Sequence, residues 1–228
     1  MNGASTTDPN AGHRARLRAR LLDGGGEALL DHELVEYLLA LVTPRGDTKP
    51  EAKRLLAEFG GLGPLLSADA TALRRAGLSD LRAAALRIAH ASALRLLETR
   101  ISGQPVLASW QALSDYLQAD MAWGGRERVR ALFLNSKNVL IANEKMGEGS
   151  VDQAAVYVRE VIRRALELHA TALILVHNHP SGDPAPSRED IALTREIAEA
   201  GRRLGIQVHD HIIVGAAGQV SLRAQGLL

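Results

Sequence analysis

His177 and His179 stand two residues apart, Ser187 and Asp190 three apart, and the string that holds them reads HNHPSGDPAPSRED. Imidazole and carboxylate are the donors of an open divalent-metal site, and the chain has no cysteine that could close one with thiolates. A strand carries residues i and i+2 on one face, so both imidazoles point the same way at a strand end. Pro180, Gly182, Pro184 and Pro186 then force a loop. Ser187 opens a helix, with Asp190 in its first turn. Two imidazoles and one carboxylate make three ligands for a catalytic zinc and leave a fourth position to water. That donor set suits zinc better than other divalent ions. Ser187 and Asp190 also read as a helix cap with an acid at the third position, which accounts for both without a metal.

The elements that must position these residues follow from periodicity. ATALILVHNHP is an all-apolar run ending in polar residues, the pattern of a central strand buried on both faces. SREDIALTREIAEAGRRLG predicts a helix and IQVHDHIIVG a further strand, with a short last strand over Gln219 to Leu222. ERVRALFLNSKNVLIANEKM alternates around Ser136, Lys137 and Asn138, which predicts a hairpin. AAVYVREVIRRALELH spaces Val158, Val161, Ile162, Ala165 and Leu166 as a helix does, and SWQALSDYLQADM reads as a helix capped by Ser109. In VHDH, His209 and His211 share a face, and Asp210 falls with Ile206, Val208 and Ile212. A buried aspartate needs partners. Support of a metal ligand and a structural network both satisfy that need.

Before Gln104 only helical patterns occur. They include a helix from His13 to the glycines at 24–26, one starting at an Asp31 cap, one opening at Pro50, and a long one capped by Ser79. The chain of 228 residues is therefore expected to hold a polar, disordered lead over residues 1–12, a helical domain over 13–103 and an α/β domain over 104–228, joined by a linker, Ile101 to Val106.

The composition, 46% hydrophobic and 23% charged with a net charge of +1, is that of a globular chain without a global basic field. The longest apolar run, around Ala172 to Val176, falls far short of the ~20 residues of a membrane span. The opening MNGASTTDPNAGH lacks an apolar leader core. A cytoplasmic protein, monomeric or weakly oligomeric and without membrane contact, is expected.

Other His-x-His sites fit poorly. The metallo-β-lactamase type wants Asp-His directly after, the amidohydrolase type a longer barrel, and an HNH nuclease agrees only in its letters. The joint pattern matches every position of the JAMM (MPN+/JAB) metalloprotease signature, His-x-His-x7-Ser-x2-Asp. HNHPSG followed by PS and D resembles the RadC family of bacterial proteins, once called DNA repair proteins. The likeness extends through YVREVIRRAL, VHDHIIVG and the N-terminal LRARLL and FGGLGPLLSADATALRRAGL segments, nearly all of residues 14–228. It implies an α/β domain of MPN/JAB type, cytidine-deaminase-like, behind the helical domain. It implies zinc on His177, His179 and Asp190, with Ser187 donating to a developing oxyanion. It also implies an upstream glutamate as general base, for which Glu127, leading into ERVRALFLN, is preferred over Glu144 in IANEKMGEG. The implied reaction is hydrolysis of a peptide or isopeptide-like amide in an unidentified substrate.

The alternative is a nucleic-acid-binding accessory protein with the second domain as scaffold. ALRRAGLSDLRAAAL resembles a helix–hairpin–helix unit, which presents amides and basic residues to DNA phosphates. Its turn is Gly77–Leu78–Ser79 where Gly-x-Gly is usual. Arg74, Arg75, Arg82, Arg87, Arg95 and Arg100 outnumber Asp80 and Glu98 there, although residues 1–105 hold 14 basic and 12 acidic side chains, a net of +2. A solvated helix face explains the same arginines.

Overall fold

A computed structural model describes residues 11–149 and 156–228. Of the expected lead, residues 1–10 lie outside the described residues, while Gly12 already belongs to the first helix. The chain divides into two compact units, Met1–Ser92 and Ala93–Leu228.

The first unit is helical: α1 (Ala11–Gly24), α2 (Asp31–Leu41), α3 (Lys49–Phe59), α4 (Leu62–Ser67), α5 (Ala70–Arg75) and α6 (Asp80–Thr99), the last running on into the second unit. Val35, Leu39, Ala52, Leu55, Leu65, Leu73 and Leu86 form its core. Pro50 lies in the first turn of α3, where a missing N–H costs nothing, and Gly60 ends that helix in the left-handed region (φ 83°). Asp31 is the first helical residue of α2, not its cap. The cap position is Leu30, whose N–H donates to Glu33 Oε2 at 3.0 Å. A carboxylate one turn inside the helix can satisfy that amide as a cap side chain would.

The second unit is an α/β domain: α7 (Trp110–Met121), β1 (Arg128–Leu134), β2 (Leu140–Glu148), α8 (Val158–Glu167), β3 (Ala172–Asn178), α9 (Arg188–Arg203), β4 (Gln207–Gly215) and β5 (Gly218–Ser221). One mixed sheet has the order β2-β1-β3-β4-β5, with β3 and β4 parallel and the other pairs antiparallel. β3 is central and buried at every position, which explains its unbroken apolar run. Leu132, Leu134, Ile174, Val176 and Ile212 face a core shared with Leu113 and Leu117 of α7. Ala131, Phe133, Leu173, Leu175 and Val208 face Val161, Ala165 and Ile197 of α8 and α9.

Three local expectations change. Ser109 sits at the cap position of α7, but its hydroxyl reaches back to the Pro105 and Val106 carbonyls at 3.4 and 3.5 Å and does not cap. The segment read as a linker has both ends, Ile101 and Val106, fully buried in the α7 core. Pro105 bridges to Val139, and the Val106 N–H donates to the Asn138 carbonyl at 2.8 Å. Finally, the β3–β4 register slips by one residue, so that Leu173 faces Val208 but Ile174 faces Asp210. The extra residue, His209, breaks the alternation. Val208 and Asp210 therefore lie on opposite faces, and His211 joins Val208 on the α9 side.

Candidate metal centre

The end of β3 and the start of α9 bring the three expected ligands together. His177 is the next-to-last residue of β3. The His179 N–H donates to the Val214 carbonyl at 2.9 Å, which continues the parallel pairing one residue past the strand and keeps both rings on one face. The loop then doubles back: Gly182 takes φ 86°, and its carbonyl accepts from the Ala217 N–H at 3.0 Å. Ser187 caps α9 in extended backbone (φ −77°, ψ 168°), its Oγ accepting from the Asp190 N–H at 3.0 Å. Asp190 Oδ2 returns the bond to the Ser187 N–H at 2.7 Å and also accepts from the Ser187 hydroxyl at 2.6 Å. The capping box and the convergence of the three expected ligands are therefore one structure: the cap orients the carboxylate toward the histidines.

His177 Nε2 lies 3.3 Å from Asp190 Oδ1, His179 Nε2 lies 3.5 Å from Asp190 Oδ2, and the two Nε2 atoms are 2.8 Å apart. Donors bound ~2.0–2.1 Å from a tetrahedral zinc are separated by roughly 3.3 Å, so the trio fits one small ion with little adjustment. No other group of three such donors converges among the described residues. The surroundings favour the ligating protonation states of His177 and Asp190. Burial pushes His177 down to about 4. Burial also opposes charge on Asp190, but His179, His177 and the two Ser187 donors outweigh it and hold the carboxyl well below its usual range. Contact with Asp190 raises His179. Its Nδ1 donates to the Asp183 carbonyl at 2.8 Å, leaving Nε2 as the lone-pair nitrogen.

The two candidate bases part company. Because β1 runs antiparallel to β3, with Val129 opposite His177, Glu127 immediately before β1 arrives beside the β3 exit. Its charge reaches His179 and adds to the rise of that imidazole. Asn178, which is fully buried and faces away from the histidines, pins this approach. Its Oδ1 accepts from the Arg128 N–H at 2.9 Å, and its Nδ2 donates to the Arg126 and Gly124 carbonyls at 3.0 and 3.4 Å. Glu144 is paired with Ala131, further from the strand end, and both its oxygens accept from Arg164 at 2.7 Å. That guanidinium holds it below the usual carboxylate range.

Asp210 takes the structural role. It is buried, with the Ser221 hydroxyl, the Arg223 N–H and the His211 N–H donating to it at 2.5, 3.1 and 2.7 Å. His209 Nε2 meets Asn138 Oδ1 at 2.7 Å. The residues that the sequence reading did not place at the site are His211 and Thr194. His211 Nε2 lies 2.8 Å from His177 Nδ1, and His211 Nδ1 lies 2.6 Å from Thr194 Oγ1. A Thr at i+4 from Asp190 on α9 was a visible signal for Thr194; for His211 the register slip hid it.

In the helical unit, a turn with Gly77 in the left-handed region (φ 87°) joins α5 to α6. The Gly77 and Leu78 amides donate to the Arg74 and Leu73 carbonyls at 2.9 and 3.1 Å. Arg74 pairs with Asp80 and Arg82 with Glu51, while Arg87 reaches the Ser67 and Ala68 carbonyls. Much of this basic surface is thus engaged within the chain.

A family model described as RadC-like JAB domain matches residues 107–227. A UPF0758 protein of Rhodobacter capsulatus is 50% identical over 213 residues, 93% of this chain and 100% of the relative. A second UPF0758 protein, from Ruegeria pomeroyi, is 46% identical over 217 residues, 95% of this chain and 97% of its own.

Proposed function

We propose that this chain, which belongs to the RadC family of JAB-domain proteins, is a zinc-dependent hydrolase of JAMM type that cleaves a peptide or isopeptide-like amide. The observation that carries this reading is the convergence of His177, His179 and Asp190, each offering a donor atom within 4.8 Å of the others. These three residues would hold zinc and leave a coordination position open to solvent or substrate. Zinc supplies there a Lewis acid that polarises a carbonyl and brings the pKa of a water toward ~7.

The chain's own residues supply the rest. Glu127 takes a proton from the attacking water and returns it to the leaving amine, the two transfers that amide hydrolysis needs. Ser187 Oγ is held from behind by the Asp190 N–H. Its own proton is therefore available to turn from Asp190 Oδ2 to an oxyanion forming beside the ligands. Asn178 keeps Glu127 in reach by anchoring the backbone on both sides of it.

Metal analysis of protein purified without chelator, wild type beside His179→Ala, tests the reading. Near-stoichiometric zinc that vanishes in the variant supports it. No metal in either protein, even after zinc is offered, overturns it. Glu127→Gln should keep its zinc while cleavage of a quenched-fluorescence peptide library falls by about 10²–10⁴-fold. Unchanged turnover would remove Glu127 as the base.

A further inference from the structure

We infer that Thr194 and His211 are positioning residues that lock the tautomer and ring orientation of His177 through a hydrogen-bond chain of fixed polarity. The inference rests on the reading of His177 as a ligand through Nε2.

The polarity is decided at one end. Thr194 Oγ1 lies 2.5 Å from the Asp190 carbonyl oxygen. A carbonyl only accepts, so the hydroxyl's single proton goes there. Toward His211 Nδ1, at 2.6 Å, the threonine oxygen must then accept, and His211 carries its proton on Nδ1. His211 is 1% exposed, its one proton is already placed on Nδ1, and its Nε2 meets another imidazole rather than a carboxylate, so the ring is neutral and its Nε2 is a lone pair. At 2.8 Å from that lone pair, His177 Nδ1 must be the donor. Ligation through Nε2 requires a neutral ring, so with its proton on Nδ1 the His177 Nε2 is bare, and this is the atom turned toward His179 and Asp190. A ligand's backbone carbonyl on α9 thus dictates the tautomer of another ligand on β3.

The fold supplies each member by a separate device. Thr194 follows Asp190 by one helical turn. His211 reaches the α9 face only because the register slip at His209 reverses the alternation of β4. Both are 1% exposed, so water does not offer competing partners. If the chain lost its fixed end, His211 could carry its proton on Nε2. His177 Nδ1 would then have to accept, and a proton on His177 Nε2 would face the metal position.

The test compares Thr194→Val, which keeps shape and removes the hydroxyl, with Thr194→Ser, which keeps the hydroxyl. Zinc affinity is measured against a competing chelator, and imidazole protonation is read by proton-coupled ¹⁵N NMR of the metal-free protein. We expect Thr194→Val to bind zinc about 10–100-fold more weakly and to lose the single His177 tautomer, with Thr194→Ser close to wild type. Wild-type zinc affinity in Thr194→Val would overturn the inference. So would a His177 proton on Nε2 in the wild-type protein, a result that does not depend on any variant folding. A wild-type protein that binds no zinc would sink the hydrolase reading alone, since the NMR spectrum still reports the tautomer.

Discussion

Of the three proposed ligands, His179 is the one on which a proton would compete most directly with a metal. Contact with Asp190 raises its pKa above the ordinary imidazole value, and a metal needs the neutral ring. Zinc affinity should therefore weaken as pH falls through that raised value, so titrations from pH 8 down to 6 should show the apparent Kd rising. A flat profile would mean that His179 is not a ligand. At the neighbouring position, Asn178→Ala removes an acceptor and a donor that are fully buried and leaves the Arg128 N–H without its partner. The cost should be about 1–3 kcal/mol in urea unfolding. Because Asn178 faces away from the histidines, zinc affinity should change little, while the proposed amide cleavage should drop with the loosened Glu127. Equal losses of both would show a merely structural role.

At the level of elements, the site depends on how the loop after β3 is seated. Gly215, at the end of β4, leaves room for that loop. A Cβ there would lie 2.3 Å from the Gly182 carbonyl oxygen and 3.1 Å from the Pro184 nitrogen, both backbone atoms that cannot rotate away. Gly215→Ala should thus displace the segment that carries the Asp183 carbonyl and release His179 Nδ1 from it. The expected cost is about 1–3 kcal/mol, the usual range for overpacking, together with a measurable fall in zinc affinity. Unchanged thermal unfolding and zinc binding would show the loop to be loosely held. Register does comparable work on the other side. Antiparallel pairing brings the start of β1 to the end of β3, which places Glu127 and not Glu144 near the histidines.

For the whole molecule, the two units should respond differently to acid and to zinc. Both tryptophans, Trp110 and Trp123, lie in the second unit, so their fluorescence reports on it alone. His177 and His211 stay neutral in the fold to about 4 and 3, whereas the unfolded chain protonates them near 6.5. The unfolded state therefore binds more protons, and the second unit loses stability as pH falls from 6.5 toward 4. In the first unit, the Arg20 hydrogen bond and the Leu30 amide hold Glu33 down to about 2. Its contribution is complete above about 4.5 and disappears as pH falls to 2. Tryptophan-detected acid unfolding should precede the loss of helical signal from the first unit. Zinc at about 100 times its Kd should add about 2.7 kcal/mol to the fluorescence-detected transition of wild type and nothing to that of His179→Ala.

What the sequence determined was local. His177 and His179 share a face because strands repeat every two residues, and Asp190 sits beside Ser187 because a cap and the third helical position always meet. The all-apolar β3, the helical first unit and the family likeness were legible for the same reason. The rest depends on pairing between distant segments. Which glutamate approaches the histidines follows from the β1–β3 register, and the burial of Ile101 and Val106 follows from packing against α7. The opposite faces of Val208 and Asp210, and the arrival of His211 behind His177, follow from one extra residue in β4. Such a residue inverts every side chain beyond it without leaving a mark in the alternation read from one strand alone.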